Sequence, residues 1–182
     1  MKPSLAEKLD DYLIRIFANF NYSKYVSLMN LTGNETILEI GCGGGNLSRF
    51  LSKSLSFGKL VCLENSDYWI HKAKKRLSSF NNIEFIFDDV LNFKRENYFD
   101  ALVVHYVLHD LIMKEKAIEV LKKNLRENAK LFIREPTRKI HGMNSTEIED
   151  LMISAGLEKL SSRKGYSFPL RGKVYNGVFV KK

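Results

Sequence analysis

The feature that most constrains this chain is a run of glycines that directly follows a short apolar segment. Thr36–Ile40 reads as a buried β-strand, and Gly41-Cys42-Gly43-Gly44-Gly45 comes straight after it. Leu47, Phe50 and Leu51 then mark one face of a helix. Glycine has no Cβ, so such a loop can adopt unusual backbone angles and lets a ligand approach the main chain closely. The segment therefore predicts a strand, a ligand-binding loop and a helix in sequence.

Strand and helix patterns continue to alternate along the chain. Apolar runs predict further strands at residues 60–63, 83–87, 101–104 and 131–133. Helical patterns lie between some of them: Ser66 is placed to cap a helix that carries Ile70, Ala73 and Leu77, and a later helix carries Ile118, Leu121 and Leu125. Right-handed crossovers place helices on both faces of such a sheet. We therefore predict an α/β fold, Rossmann-like and doubly wound, whose ligand site lies at the carboxyl ends of the strands.

Both ends of the chain add elements to this core. Apolar residues at positions 5, 9, 12, 13, 16, 17 and 20 predict an amphipathic helix that Ser4 opens, and a second short helix is expected at 23–30. Asn144 or Ser145 is expected to cap a helix that Gly156 ends, and residues 157–163 and 175–180 are two β segments. We expect one domain over residues 1–182, with an N-terminal helical part (1–31), a ligand-binding core (32–136) and a C-terminal helix and hairpin (137–182).

Charge is concentrated at the C-terminal end. The 182 residues carry a net charge of +8, and residues 159–182 hold seven Lys and Arg and no Asp or Glu. Such a stretch can be solvated charge on edge strands, or it can attract RNA, an anionic lipid surface or a phosphorylated metabolite. No apolar run approaches the roughly 20 residues of a membrane span, and the two cysteines have no metal-ligand spacing. These features predict a cytoplasmic protein.

The glycine spacing and the acids at the strand ends indicate which ligand is bound. A dinucleotide fingerprint would need glycine at position 46, where Asn46 stands, and Glu39 would repel a pyrophosphate but suits a cationic ligand. Glu64, at the end of the second strand, can accept hydrogen bonds from both hydroxyls of a ribose. Asp88 and Asp89, after the third strand, can accept from an exocyclic amine. The ligand expected is an adenosine without phosphates.

At this point the sequence resembles the class I S-adenosylmethionine-dependent methyltransferases. The motifs that carry the resemblance are residues 38–45, Glu64, residues 87–90, residues 98–104 followed by Val107-Leu108-His109, and residues 124–136. Two departures are visible: Asn128-Ala129 stands where many relatives have a glycine pair, and Asp88-Asp89 stands where many have Gly-Asp. The resemblance implies a mostly parallel seven-stranded sheet that ends in an antiparallel hairpin, with N-terminal helices that form a lid.

The resemblance also implies a cofactor, S-adenosyl-L-methionine, with S-adenosyl-L-homocysteine as the product and no metal. The resemblance implies contacts to each part of the cofactor. The methionine part would contact Glu39, Gly41, Cys42, Gly43 and Gly45, and the ribose would contact Glu64 and Asn65. The adenine would contact Asp88, Asp89 and Val90, and the sulfonium would lie beside His105 and Tyr106. Of the two aspartates, the motif's register favours Asp89 as the one that faces the adenine.

Candidate substrate residues follow from their places in this topology. His109 is the candidate general base, and its alternative role is packing at the start of the next helix. His141, in the loop after the fifth strand, and Tyr12 and Tyr25, in the N-terminal lid, are candidate substrate contacts; solvated or core positions are their alternatives.

No residues remain for a separate substrate domain, so we expect methyl transfer to a small-molecule acceptor. The alternative acceptor is RNA or a phospholipid head group bound by the basic C-terminal stretch. Two other classes of function are possible for such a fold. One is a nicotinamide-dependent oxidoreductase, which Glu39 and Asn46 disfavour. The other is a non-catalytic binding module, which methyl transfer would exclude.

Overall fold

The computed structural model describes residues 4–5, 8–9, 11–13, 19–137, 142–167 and 172–182. Its strands are β1 (Thr36–Ile40), β2 (Lys59–Glu64), β3 (Ile83–Phe87), β4 (Phe99–His105), β5 (Leu125–Pro136), β6 (Leu157–Ser167) and β7 (Gly172–Lys181). Its helices, numbered here from the first one with described bounds, are α1 (Asn19–Ser27), α2 (Ser48–Lys53), α3 (Asp67–Arg76), α4 (Lys114–Asn124) and α5 (Ser145–Ser154), and a 3-10 turn covers Leu108–Asp110.

The strands form one sheet in the order β3-β2-β1-β4-β5-β7-β6. Strands β1 to β5 run parallel to one another, and β7 runs antiparallel to both β5 and β6. The predicted fold class is confirmed. The direction of winding reverses between β1 and β4, and parallel sheets bind their ligands at this point, beyond the carboxyl ends of the strands.

Two apolar clusters cover the faces of the sheet, because alternate residues of a strand point to opposite sides. Leu38 and Ile40 of β1 pack into a cluster with side chains of α4 and α5, whereas Ile37 packs into a second cluster with α1 and α2. Burial on both faces explains why β1 and β2 read as almost continuous apolar runs. Among the described residues, no helix has both the length and the apolar composition that a membrane crossing requires.

Some local boundaries differ from the sequence predictions. The helix predicted to include Leu125 ends one residue earlier, and Leu125 begins β5, which the sequence pattern starts only at Leu131. A register shift in the β4–β5 pairing accompanies this early start. Within the extension Asn128 has φ +63°, a conformation that glycine adopts more easily than other residues. Ser66 occupies the cap position of α3, but its hydroxyl makes no capping hydrogen bond.

The N-terminal segment is oriented differently from the simple amphipathic prediction. Leu5 and Leu9, in the predicted apolar stripe, are largely exposed, whereas Asp11 is 7% exposed. Asp11 forms ion pairs with Lys72 (2.8 Å) and Arg76 (3.0 Å) of α3. These two cations lower the pKa of Asp11 against the opposing effect of burial. A polar contact to α3, rather than apolar packing of the stripe, therefore sets the position of this residue.

Candidate functional site

The glycine loop, residues 41–45, follows β1; one side of it packs against protein and the other side is open. Gly41 has φ +60°, its N–H donates to Leu63 O (2.8 Å), and a Cβ there would lie 2.4 Å from Val107 Cγ2. Gly43 has φ +52°, but a Cβ there would have no protein atom within 4 Å. Gly41 is therefore needed for close packing against the loop after β4, whereas Gly43 faces space that a ligand can fill.

Glu64 is attached to this loop. Its Oε2 accepts the N–H of Gly43 (2.9 Å) and its Oε1 accepts the N–H of Ser66 (2.9 Å). The side chain is 7% exposed, and burial raises its pKa although the backbone donors act in the opposite direction. A buried carboxylate thus lies next to the open side of Gly43, where it can accept hydrogen bonds from a ligand's hydroxyl groups.

A second buried acid, Glu39, lies beneath the loop. It is the register partner of Cys62 on β2, whose thiol donates to Glu39 Oε2 across 3.6 Å. Burial raises the pKa of Glu39 to about 7, and the negative charge of Glu64 adds to this effect. No described Lys, Arg or His forms an ion pair with Glu39. An acid in this setting favours a nearby cationic ligand group, since a positive charge stabilises its ionised form.

The acids after β3 form a tight turn. Asp88 Oδ1 accepts the N–H of Asp89 (2.7 Å), and Asp89 Oδ1 accepts the N–H of Leu91 (2.9 Å). The turn is held beside β2 because the N–H of Asp88 donates to Glu64 O (3.2 Å). Val90 packs against the core, while Asn65 is exposed at the end of β2. The predicted adenine-side residues and Glu64 therefore lie on neighbouring strand ends, as parallel pairing requires.

Aromatic side chains gather at the end of β4. The ring of His105 lies near three tyrosine rings, with centroid distances of 4.0 Å to Tyr106, 5.3 Å to Tyr22 and 5.5 Å to Tyr25. Tyr106 has φ +59°, which is uncommon for a bulky residue and typical of functional sites. Its N–H donates to Arg134 O (2.8 Å), so β5 holds this conformation in place.

His109 forms a hydrogen-bonded pair with a buried carboxylate. Its Nδ1 lies 2.7 Å from Glu135 Oε2, and Glu135 Oε1 accepts the N–H groups of Val107 (2.8 Å) and Leu108 (2.6 Å). A carboxylate only accepts hydrogen bonds, so this contact assigns the proton to Nδ1 and leaves the lone pair on Nε2. Nε2 lies 3.5 Å from Asp110 Oδ1. The pair is close to the glycine loop, because Val107 packs directly on Gly41.

Asp11 connects the N-terminal segment to the same loop. Besides its ion pairs with α3, it accepts a hydrogen bond from Asn46 Nδ2 (2.8 Å). Arg76 in turn donates to Gly44 O (2.6 Å) and to Asn46 Oδ1 (2.8 Å). A Cβ on Gly44 would lie 2.6 Å from Asp11 Oδ1, so the segment lies directly against the loop backbone.

The predicted substrate residues have different surroundings. Tyr25 is buried against Arg134 and His105, whereas Tyr12 is half exposed. His141 lies outside the described residues. The sequence predicted no site role for Arg134 and did not identify Glu135 as the partner of His109. A polar Arg-Glu pair at the end of an otherwise apolar strand is the signal that could have found them. In the described part of the chain, no cluster of three His, Cys, Asp or Glu side chains suits a metal ion.

The sheet order, with the glycine loop and the acids at the ends of its parallel strands, defines a Rossmann-like α/β protein. The sequence profile of the methyltransferase domain family matches residues 31–164, and this chain belongs to that family. The family resemblance drawn from the sequence motifs is therefore confirmed.

Individual proteins show how far the similarity extends. A malonyl-[acyl-carrier protein] O-methyltransferase from Halalkalibacterium halodurans is 30% identical over 102 residues, which cover 54% of this chain and 38% of that protein. The chain spans less than half the length of the curated relatives it matches. A SAM-dependent methyltransferase from Aquifex aeolicus has a TM-score of 0.83 at 19% identity, with both chains covered completely. The N-methyltransferase NodS from Bradyrhizobium japonicum, solved with S-adenosyl-L-homocysteine, has a TM-score of 0.74 at 19% identity over 88% of this chain and 85% of that chain.

Proposed function

We propose that this protein transfers a methyl group from S-adenosylmethionine to a small-molecule acceptor. The observation that carries the proposal is the buried Glu64 carboxylate, which is hydrogen-bonded to the Gly43 amide and lies beside the open side of that glycine. Family membership supports the reaction type. When bound, the cofactor supplies an activated methyl group on a positively charged sulfur, and it leaves as a neutral thioether.

The residues present fit this cofactor. Glu64 with Asn65 would hold the ribose, and Asp88, Asp89 and Val90 would border the adenine. Glu39, Cys42, Gly45 and the backbone at Gly41 and Gly43 would surround the methionine part, and His105 and Tyr106 would lie beside the sulfur. Glu39 supports this orientation, because its raised pKa and lack of a described cationic partner favour a ligand that brings positive charge.

The protein's main contribution is to position the acceptor and exclude water, which can lower a barrier by roughly 7–11 kcal/mol. A neutral amine or a hydroxyl also loses a proton as its new bond to carbon forms. We assign the acceptance of that proton to His109 Nε2, because the contact of Glu135 with Nδ1 would keep that nitrogen protonated and stabilise the imidazolium that results. The acceptor thus gains a methyl group, the bond from sulfur to carbon breaks, and the proton passes to His109.

RNA or a phospholipid head group is the alternative acceptor, through the basic C-terminal stretch. In the structure, Lys159, Lys181 and Lys182 of this stretch form ion pairs with Glu149, Glu127 and Glu158. This pairing neutralises part of the charge that a polyanion would contact, so a small acceptor is favoured. Strong salt dependence of acceptor binding would instead support a polyanion.

Transfer of a radiolabelled methyl group tests the proposed function. The protein is incubated with S-adenosyl-L-[methyl-³H]methionine and with fractions of a cell extract separated by size. We expect label in the small-molecule fraction, and calorimetry should show binding of S-adenosylmethionine without added metal and much weaker binding of NAD. Label only in RNA or lipid supports the alternative acceptor; no transfer to any fraction, or preference for NAD, contradicts the proposal.

Three glycine variants separate the loop's ligand-binding role from its structural role. Gly43→Ala adds a methyl group on the open side, so cofactor affinity should fall at least tenfold. The free energy of unfolding should fall only by the strain of a positive φ, about 1–2 kcal/mol, which thermal unfolding measures. Gly33→Ala is the matched control, since Gly33 also has a positive φ but precedes β1 at the opposite end of the strand. Gly41→Ala should impair both affinity and stability, because its Cβ collides with Val107. Equal affinities for the Gly43 and Gly33 variants would contradict this assignment.

A further inference from the structure

A row of polar side chains crosses four strands of the sheet. Arg134 on β5 is the register partner of His105 on β4 and of Asn176 on β7, and Asn176 is in turn the partner of Arg163 on β6. Register partners point to the same face of a sheet. Tyr25 of α1 packs on this face, against His105 and Arg134. The row therefore brings two arginines from distant parts of the sequence to the face that also carries the aromatic residues at the end of β4.

Among the described residues, Arg134 is a buried cation without an ion-pair partner. The residue is 7% exposed, and its Nε has no hydrogen-bond partner in the described part of the chain. No described carboxylate forms an ion pair with it. Leaving a charged group buried and unpaired is strongly unfavourable, and such groups usually mark a missing partner.

Tyr25, whose ring packs against Arg134, has an unsatisfied hydroxyl. The hydroxyl oxygen is fully buried and has no hydrogen-bond partner among the described residues. Burial raises the pKa of Tyr25 well above the usual value and the negative charge of Glu135 adds to this, while the positive charges of Arg134 and Arg163 act in the opposite direction. At neutral pH the hydroxyl is therefore a donor, as is Arg134 Nε–H. These are two buried donors on side chains that pack against each other, and neither has an acceptor among the described residues. Such a pair fits an anionic group of a ligand.

The surroundings of Arg134 favour a planar anion with a single charge. The guanidinium carbon lies 4.9 Å from the Tyr25 ring centroid and 5.9 Å from that of Tyr106. Aromatic rings stabilise the guanidinium through its face but provide no hydrogen-bond acceptor in its plane. A carboxylate matches the in-plane donors of arginine and carries the one negative charge that Arg134 lacks.

We infer that Arg134 and the Tyr25 hydroxyl bind a carboxylate of the methyl acceptor, which makes the acceptor a small amino acid or hydroxy acid. This inference rests on the proposed function. The amine or hydroxyl of such a molecule takes the methyl group, and His109 lies on the same edge of the sheet to receive its proton. Arg134 is two strands away from the glycine loop of β1, about 10 Å at the usual strand spacing, which places it on the acceptor side of the cofactor.

Carboxylate binding can be measured directly at Arg134 by NMR. The protein is saturated with S-adenosylhomocysteine, and the Nε–Hε signal of Arg134, assigned by its loss in Arg134→Met, is followed during titration. The probes are matched pairs of acid and amide: glycine and glycinamide, lactate and lactamide. We expect a saturable shift with at least one acid and at least tenfold weaker binding of its amide. Equal responses to acid and amide, or no saturable shift with either acid, would overturn the inference.

Variants show whether Arg134 acts on the acceptor, on the cofactor or on folding. Arg134→Met should abolish the preference for the acid while leaving S-adenosylhomocysteine affinity within about twofold and the melting temperature unchanged or higher, because it removes an unpaired buried charge. Arg126→Met, at the opposite end of β5 and ion-paired with Asp100, is the matched control and should keep the preference. Equal loss of cofactor affinity would reassign Arg134 to the cofactor's own carboxylate and overturn the inference.

The titration and the methyl-transfer assay together separate this inference from the proposed function. Acid-selective binding at Arg134 together with methyl transfer to a carboxylate-bearing molecule supports both. Methyl transfer confined to acceptors without a carboxylate overturns the inference and leaves the proposed function intact. Acid-selective binding in a protein that transfers no label to any acceptor contradicts the proposed function and, with it, the assignment of the bound acid as an acceptor.

Discussion

Replacing His109 by Gln is expected to lower turnover by about 10²–10⁴-fold, the range typical of a lost general base. Cofactor affinity should change little, because His109 is hydrogen-bonded to Glu135 rather than to the glycine loop. Single-turnover measurement of label transfer and calorimetry of cofactor binding provide the two values. The matched control is His71→Gln, since His71 is exposed on α3 and bonds only locally to Asp67 among the described residues. Unaltered turnover in the His109 variant would exclude this residue as the base.

Glu135 acts through His109, as a positioning residue, and its variant has a distinct signature. In Glu135→Gln the amide oxygen can still accept the N–H groups of Val107 and Leu108, but the amide nitrogen then donates to His109 Nδ1. The proton moves to Nε2, and the imidazole can no longer accept one from the acceptor. We expect kcat to fall with KM nearly unchanged, and the double variant to be no slower than His109→Gln alone. Multiplying effects would contradict the coupling of the two residues.

Replacing Glu64 by Ala is expected to weaken cofactor binding by a hundredfold or more. Each hydrogen bond to a charged group contributes roughly 1.5–3 kcal/mol, and the ribose offers two hydroxyls to this carboxylate. Ala also removes the acceptors for the Gly43 and Ser66 amides, whereas Gln keeps an acceptor for one of them. Stability is therefore compared as a change with pH and not as an absolute value. Isothermal calorimetry with S-adenosylhomocysteine measures the loss of affinity.

The stability of the apo protein provides a second test at Glu64. Burial raises the pKa of Glu64 above its usual value, so the stability this group contributes is present at low pH and is lost as pH rises through the folded-state pKa. The melting temperature of Glu64→Gln, taken as a difference from that of the unmodified protein, should therefore increase as the pH rises from 4 to 8. Glu35→Gln is the control: hydrogen bonds from Thr32 and Gly33 lower the pKa of Glu35, which lies before β1, so the relative change has the opposite sign and cofactor affinity is unaffected. A Glu64 variant that binds cofactor normally would exclude the ribose contact.

Local sequence patterns were sufficient to predict the order of elements in the core. Apolar runs at 60–63 and 83–87 correspond closely to β2 and β3. Apolar residues of both strands pack into the clusters on the two faces of the sheet, although those of the edge strand β3 are only partly buried. Asn144 was correctly identified as one of two candidate caps, and its side chain accepts the N–H of Thr146. Such predictions succeed because the interaction joins residues that are close in sequence.

Contacts between distant segments could not be obtained in the same way. The exposed N-terminal apolar residues and the buried Asp11 reverse the expectation from periodicity, since two cations on α3 and Asn46 hold the acid. The start of β5 at Leu125 was missed for a related reason. Its pairing with Phe99 lies beyond a register shift, and no local pattern encodes that shift.

By itself, the sequence determined the alternation of strands and helices, the glycine loop, and the acids that end β2 and β3. Each of these follows from the chemistry of a few consecutive residues and from the rule that parallel strands end at one edge. The contact of Glu135 with His109, and the packing of Arg134 on the Tyr25 ring with no ion-pair partner among the described residues, emerged only from the folded structure. These relations depend on strand register and on the seating of α1 against the sheet, which are fixed by the packing of the whole core rather than by any local pattern.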